Sequence, residues 1–286
     1  RYNQIEEQAD LGFAPDSSFP LTYAEKGLLQ VKLHGPGWDD LPLQAGQALN
    51  VVPDKATYAG HRLEELLPVL DQSGVQYSQT ADSVTVLGVS KHSKDAAEGV
   101  NAIVGLAESL SLIQPHPALL FIADAVGEDA TGEALFGKIT DEPSGDLSFN
   151  LATLVIDQEQ SEIGIDIRIP VLADKDSLVA RLQEIAASYQ LEYEEFDYLA
   201  PLYVPLDSPL VSSLMAVYQE ETGDKTPAMS SGGATFARTM ENCVAFGALF
   251  PGAEQTEHQA NERAKIEDLY AAMEIYREAI QRLATT

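Results

Sequence analysis

Cysteine is almost absent from this chain. One thiol, Cys243, occurs in 286 residues, so no disulfide can close within the chain, which suits a reducing cytoplasm better than an oxidising exterior. Cys243 sits in the apolar run CVAFGALF and reads as a packed side chain rather than a nucleophile. Positive charge is scarce too: 17 Lys and Arg stand against 45 Asp and Glu, a formal net charge of -28. A field of that sign repels phosphate backbones and anionic headgroups, so neither nucleic acid nor a membrane is an expected partner. It tolerates metals and cationic ligands without identifying either. No apolar run reaches the roughly 20 residues of a membrane-spanning helix, and no secretory leader heads the sequence, which again points to the cytoplasm. The sequence opens at Arg1 without an initiating methionine, and a fragment is the expectation that follows.

What is present is the composition of a globular protein, 45% hydrophobic and 22% charged, with length for two domains or one large one. Tyr23 to Leu33 reads as a hairpin around Glu25-Lys26-Gly27, and Leu49 to Pro53 as a short strand. Helical spacing places Leu63, Leu66, Leu67 and Leu70 on one face of a helix over about Arg62–Gln72. A second helix begins near Ala96, with Val100, Ile103, Ala107 and Leu110 inward, and Pro117–Val126 is a further apolar helix. Phe149–Ile156 and Ser161–Ile169 pair as antiparallel strands. Helices follow over Asp176–Tyr189, after Pro201 up to Gly223, and over Ala264–Leu283. The last has Ile266, Leu269, Tyr270, Met273, Tyr276 and Ile280 as its core stripe.

Asn50-Val-Val-Pro, then helix, strands, His92 and helix, parallels Ile167-Arg168-Ile-Pro, then helix, strand, Asp207 and helix. That suggests a duplication. The expected architecture is an α/β domain built from residues 1–33 and 205–286. It is interrupted by an α+β insertion, 34–204, of two similar lobes.

Several motifs occur together: LGFAPDSSFPLTYAEKG, NVVPDKA, GVSKHSKDAAEGVNAI, GDLSFNLATLVID, IGIDIRIPV, PLYVPLDSPLVSSLMAVYQEETG and SSGGATFARTMENCVAFGALFPG. In this order they resemble bacterial dipeptidases of the peptidase V type (Xaa-His, carnosinase-like), part of the dinuclear-zinc family that includes aminoacylases and desuccinylases. The resemblance runs from Leu11 to near the end of the chain. It implies a zinc-exopeptidase-like catalytic domain interrupted by a two-lobed lid domain. The implied enzyme is a cytoplasmic, monomeric hydrolase of dipeptides with a free terminal carboxylate.

Such chemistry uses two zinc ions, a bridging carboxylate and a metal-held water, with a Glu as general base. By resemblance Asp16 and His258 are metal ligands, one on each zinc. His92 reaches over the metals to stabilise the oxyanion. Arg168, Asn50 and the Gly232-Gly233 loop hold the substrate carboxylate. Arg238 and Lys225 are further candidate contacts, while His34, His61 and His116 match no site and are expected at the surface. Arg168, between Ile167 and Ile169, needs a partner on physical grounds alone.

The family's His-x-Asp, bridging Asp and Glu-Glu pair do not precede Asp16, and Glu6-Glu7 lies too close to serve. Two ligands on different metals cannot hold a pair, so this chain alone is expected to be inactive. The alternatives are a deacylase or desuccinylase of the same family, and a non-catalytic binding module made of the lid.

Overall fold

Apolar alternation builds the middle of the chain. In β11 (Gln160–Ile169) the isoleucines at 163, 165, 167 and 169 alternate with Glu162, Gly164, Asp166 and Arg168, so one face is apolar and the other polar. β10 (Ser148–Ile156) pairs with it antiparallel, Phe149 opposite Ile167. Asp157 closes the turn, its Oδ1 accepting from the N–H groups of Glu159 and Gln160 at 2.8 Å each. The computed structural model describes residues 5, 9–256 and 261–285. It divides into one unit of Gly27–Leu199 and another of Arg1–Lys26 with Ala200–Thr286.

In the first unit β3 (Gly27–Pro36) pairs with β11 along its whole length. With β4 (Leu43–Ala45) and β12 (Glu192–Leu199) the sheet has the order β12-β3-β11-β10-β4. A smaller sheet has the order β5-β7-β6 from β5 (Lys55–Tyr58), β6 (Tyr77–Gln79) and β7 (Val84–Leu87). β8 (Thr140–Asp141) and β9 (Gly145–Asp146) form a short ribbon. Three helices of two turns or more complete the unit: α1 (Leu63–Ser73), α2 (Ala102–Ser111) and α3 (Lys175–Ser188). One hydrophobic core joins both sheets and these helices, drawing on Leu29, Val31, Leu66, Val86, Ile103, Phe149, Ile165 and Leu182.

The second unit is organised on β2 (Thr22–Glu25). It pairs with β13 (Leu202–Tyr203), β14 (Met229–Ser231) and β15 (Cys243–Ala245), and β1 (Gly12–Ala14) runs parallel to β15. α4 (Pro209–Thr222) starts at Ser208, whose Oγ accepts from Val211 N–H, and ends at Gly223 in the left-handed region, φ 71°. α5 (Ile266–Leu283) packs on α4. Between them and the sheet lie Phe19, Leu214, Tyr218, Phe246 and Ile275. Gly247 is required here: its φ is 48°, and a Cβ would fall 2.2 Å from the Phe19 ring.

The structure corrects several expectations. β2 and β3 are not a hairpin, because they lie in different sheets. The expected boundary at residue 33 falls inside β3, and the chain changes units at Lys26 and Leu199 rather than at 33 and 204. The strand at Leu49–Pro53 is a single bridge at Val51. Val100 is exposed and bridges Val89, because the helix starts only at Ala102, after a 3₁₀ turn over Ser93–Glu98. His116 is fully buried: Nε2 donates to the Pro36 carbonyl at 3.0 Å and Nδ1 accepts from Ala118 N–H at 3.2 Å. Burial pushes its pKa down.

On α5 the buried residues are Ala272, Ile275 and Ala279, whereas Ile266, Leu269, Tyr270, Met273 and Ile280 of the expected stripe are exposed. The expected duplication also crosses the unit boundary. Its second closing helix, α4, belongs to the other unit.

Candidate functional site

In the Gly27–Leu199 unit the polar face of β10 and β11 carries Ser148, Asn150, Asp166 and Arg168, all buried. Arg168 meets Asp166, two positions back on the same strand face, through Nε to Oδ1 at 2.6 Å and Nη2 to Oδ2 at 3.1 Å. Gln30 on β3 donates to the same carboxylate at 2.9 Å. That pair is the partner the buried guanidinium demands. Arg168 Nη2 also donates to Ser93 Oγ at 3.1 Å, and Ser148 Oγ donates to the Ser93 carbonyl at 2.5 Å.

Ser93 fastens the rest. It follows His92 directly, and its N–H donates to the Asn50 carbonyl at 2.9 Å. Val51 bridges His92, and Val52 N–H donates to the Lys91 carbonyl at 2.8 Å. Asn50, His92 and Arg168, distant in sequence, are thus laced together by backbone bonds and one serine. His92 reaches the surface and caps the 3₁₀ turn, Nδ1 accepting from Lys94 N–H at 3.2 Å. An accepting Nδ1 leaves the proton on Nε2 in the neutral ring. Partial burial, then the charges of Arg168 and Lys94, hold the His92 pKa below the ordinary histidine range, with Asp166 opposing. Near neutral pH the ring is therefore an uncharged N–H donor, suited to a developing oxyanion.

The remaining expected residues fall in the other unit. Asp16 follows β1, half-buried, its Oδ1 accepting from Ser17 N–H at 2.8 Å, with Ser17 at φ 74°. Its charge adds to burial in raising Tyr276 to about 12, and that hydroxyl donates to the Gly247 carbonyl. Among the described residues no group of three or more His, Cys, Asp or Glu could hold a metal. His258 lies outside the described residues.

At the glycine loop Gly233 N–H donates to Ser231 Oγ at 2.9 Å, and the Gly233 carbonyl accepts from Arg238 at 3.2 Å. Arg238 is engaged within the fold. Its guanidinium binds buried Glu25 through Nε at 3.2 Å and Nη2 at 3.0 Å, and the carbonyls of Lys26 and Ala200 at 3.2 and 3.0 Å. Thr235 completes the Glu25 carboxylate with Oγ1 at 2.5 Å and N–H at 3.0 Å. Cys243 is buried and desolvation pushes its thiol pKa up, as a packed side chain requires.

Sequence reasoning missed Asp166, Ser93, Asn150 and Glu25. The Asp-x-Arg spacing on a strand was a usable signal for Asp166, since alternate residues share a face. Glu25 had none, because its partner lies 213 residues away.

The family model of Peptidase family M20/M25/M40 matches residues 68–282. YtjP of Bacillus subtilis (strain 168), a protein carrying a provisional dipeptidase name, is 34% identical over 306 residues, covering 99% of this chain and 65% of that protein. A similarly named protein of Staphylococcus haemolyticus is 30% identical over 308 residues, with 99% and 66% covered. The chain therefore spans just under two thirds of the length of these relatives. A crystal structure of aminoacylhistidine dipeptidase from Vibrio alginolyticus superposes with a TM-score of 0.53 at 11% identity, over 95% of this chain and 65% of that one. This is a likeness of fold alone.

Proposed function

The chain belongs to peptidase family M20/M25/M40, and from that premise we propose that it is the substrate-holding part of a zinc-dependent dipeptidase. The substrates are short peptides with a free terminal carboxylate. The observation that carries this reading is the lacing of Asn50, His92 and Arg168 around Ser93. A planar guanidinium held bidentate by Asp166 keeps a fixed orientation for a carboxylate. Asn50 adds hydrogen bonds, and neutral His92 offers Nε2–H to the carbonyl oxygen as it gains charge. The dipeptidase names of the relatives support the substrate class.

The described residues do not fit a zinc pair, since Asp16 is the one assigned ligand among them. In this reading Asp16 and His258 contribute to a pair completed by other residues, and the chain alone neither holds two zinc ions nor hydrolyses dipeptides. Metal analysis finding two tightly held zinc equivalents would sink that part. The enzyme acts as a cytoplasmic monomer in this reading. Among the described residues no helix is long and apolar enough to cross a membrane.

The binding reading is tested on the chain itself by NMR titration with glycylglycine against glycylglycinamide. Glycylglycine is expected to bind more tightly and to shift the Arg168 Nε–H resonance. Equal binding of the two, or a shift elsewhere, removes the carboxylate site.

A further inference from the structure

We propose that Asn150 is a positioning residue for the carboxylate end of this site, acting through Asn50. The inference rests on Asn50 being a carboxylate donor, as read above. Asn150 lies on β10, 1% exposed, and its Nδ2 donates to the Leu49 and Val51 carbonyls at 3.0 Å each. These carbonyls flank Asn50, whose own carbonyl accepts from Ser93 N–H at 2.9 Å. Three consecutive carbonyls are thus held from two directions, and the Asn50 backbone is fixed relative to β10, to Ser93 and to His92.

The chemistry selects the side chain. Bridging two carbonyls from one atom needs two N–H groups on one nitrogen; Asp has none, and Ser or Thr has one O–H. The other half of the amide argues that the donors are what matter. Asn150 Oδ1 is buried and has no partner among the described residues, a desolvation cost the fold accepts. An apolar residue at this position would carry no such cost. An amide with both donors engaged and its acceptor idle is a device for placing a neighbouring segment. Asn150 is also two positions from Ser148, which fastens Ser93. The same strand therefore locates the segments bearing Asn50 and His92 against Arg168.

The test is a double-mutant cycle on glycylglycine binding by this chain, with Asn150→Ala, Asn50→Ala and the double variant. Because Asn150 acts through Asn50, Asn150→Ala weakens binding about tenfold, the scale of one well-placed hydrogen bond. The double variant is then no weaker than Asn50→Ala, and glycylglycinamide binding is unchanged throughout. A purely structural residue would instead give additive losses with both ligands. In the ligand-free chain, Asn150→Ala also accelerates hydrogen exchange of the Ser93 amide.

Wild-type-like binding by Asn150→Ala, or additive losses, overturns the role of Asn150 alone. A wild-type chain without carboxylate preference overturns the reading of Asn50 and this role with it. If the alanine variant does not fold, the isosteric Asn150→Asp, which replaces both donors by acceptors, is read in the same way.

Discussion

Among the described residues each unit buries one arginine–carboxylate pair, and the two pairs are built for different ends. In the Arg1–Lys26 and Ala200–Thr286 unit, all three Arg238 nitrogens are engaged by Glu25 and by carbonyls of three separate stretches, Lys26, Ala200 and Gly233. It is a fastener for backbone. In the Gly27–Leu199 unit, Arg168 takes its counter-ion from its own strand, and its other described bond goes to the serine beside His92. That pair holds a guanidinium in one orientation. Burial and charge are alike in both, with side-chain exposures of 7% and 0% for Arg238 and Glu25 and 6% and 0% for Arg168 and Asp166. What separates them is where the remaining donors go.

The largest expected effect strikes the fastener. Arg238→Ala leaves Glu25 buried without its counter-ion and should cost about 3–5 kcal/mol, read by urea titration as loss of amide protection in α4 and α5. Arg168→Met is next. It strands Asp166, which keeps the Gln30 bond, at a cost of about 3 kcal/mol, reported by fluorescence of Trp38 in the same unit.

The comparison sharpens when both partners are replaced. Asp166→Leu with Arg168→Met should return to within about 1–2 kcal/mol of wild type while losing glycylglycine binding. Glu25→Leu with Arg238→Met should remain destabilised, because the carbonyls of Lys26, Ala200 and Gly233 lose their donor. Equal recovery of the two doubles would erase the distinction.

Acid separates the units more gently. His92 and His116 both have pKa values below the ordinary range, so the folded unit keeps them neutral while the unfolded chain takes up protons below about pH 6.5. Their stabilising contribution is complete above that pH and is lost as pH falls toward the lower folded values. The described residues of the other unit include no histidine. The urea midpoint followed by Trp38 should therefore fall between pH 7.5 and 5.5 more than that of α4 and α5. His116→Gln should reduce the drop, and a flat profile would contradict a neutral His116. The smallest effect belongs to the exposed pair of Arg282 with Glu220 at 2.6 Å: Arg282→Ala should leave the urea midpoint of α4 and α5 nearly unchanged.

Much of the fold was legible because single elements announce themselves. The β10–β11 pair follows from alternation across an Asp turn. The helix ending at Gly223 follows from its cap, and α1 and α3 from their leucines. The failures share a cause: a local pattern cannot say which neighbour an element will have. On α5 apolar residues occupy more than one face, and the side that packs on α4 is the one with Ala272 and Ala279, whose small side chains let two backbones approach. The larger residues drew the eye to the wrong stripe. Glu25 looked like a turn residue because nothing nearby in sequence betrays Arg238. His116 looked exposed because a buried histidine satisfied by two backbone groups leaves no trace in composition.

For the candidate site, the resemblance pointed to Asn50, His92 and Arg168, and the structure joins the segments that bear these three. The groups that place them, Ser93, Asn150 and Asp166, were invisible because each acts through hydrogen bonds to distant segments.

β12 carries a further consequence. It stands at the end of the sheet order, with a bulge between Glu195 and Asp197 and with Glu192 and Glu194 beside them. An outer strand of this kind is a template for another copy's strand, and what deters it here is mutual repulsion between carboxylates on molecules that each carry a formal charge of -28. Salt screens that repulsion, and neutralising the carboxylates removes it beside Phe196, already 54% exposed. Light scattering should therefore rise with added salt, and Glu-to-Gln changes along β12 should lower the salt concentration at which it does.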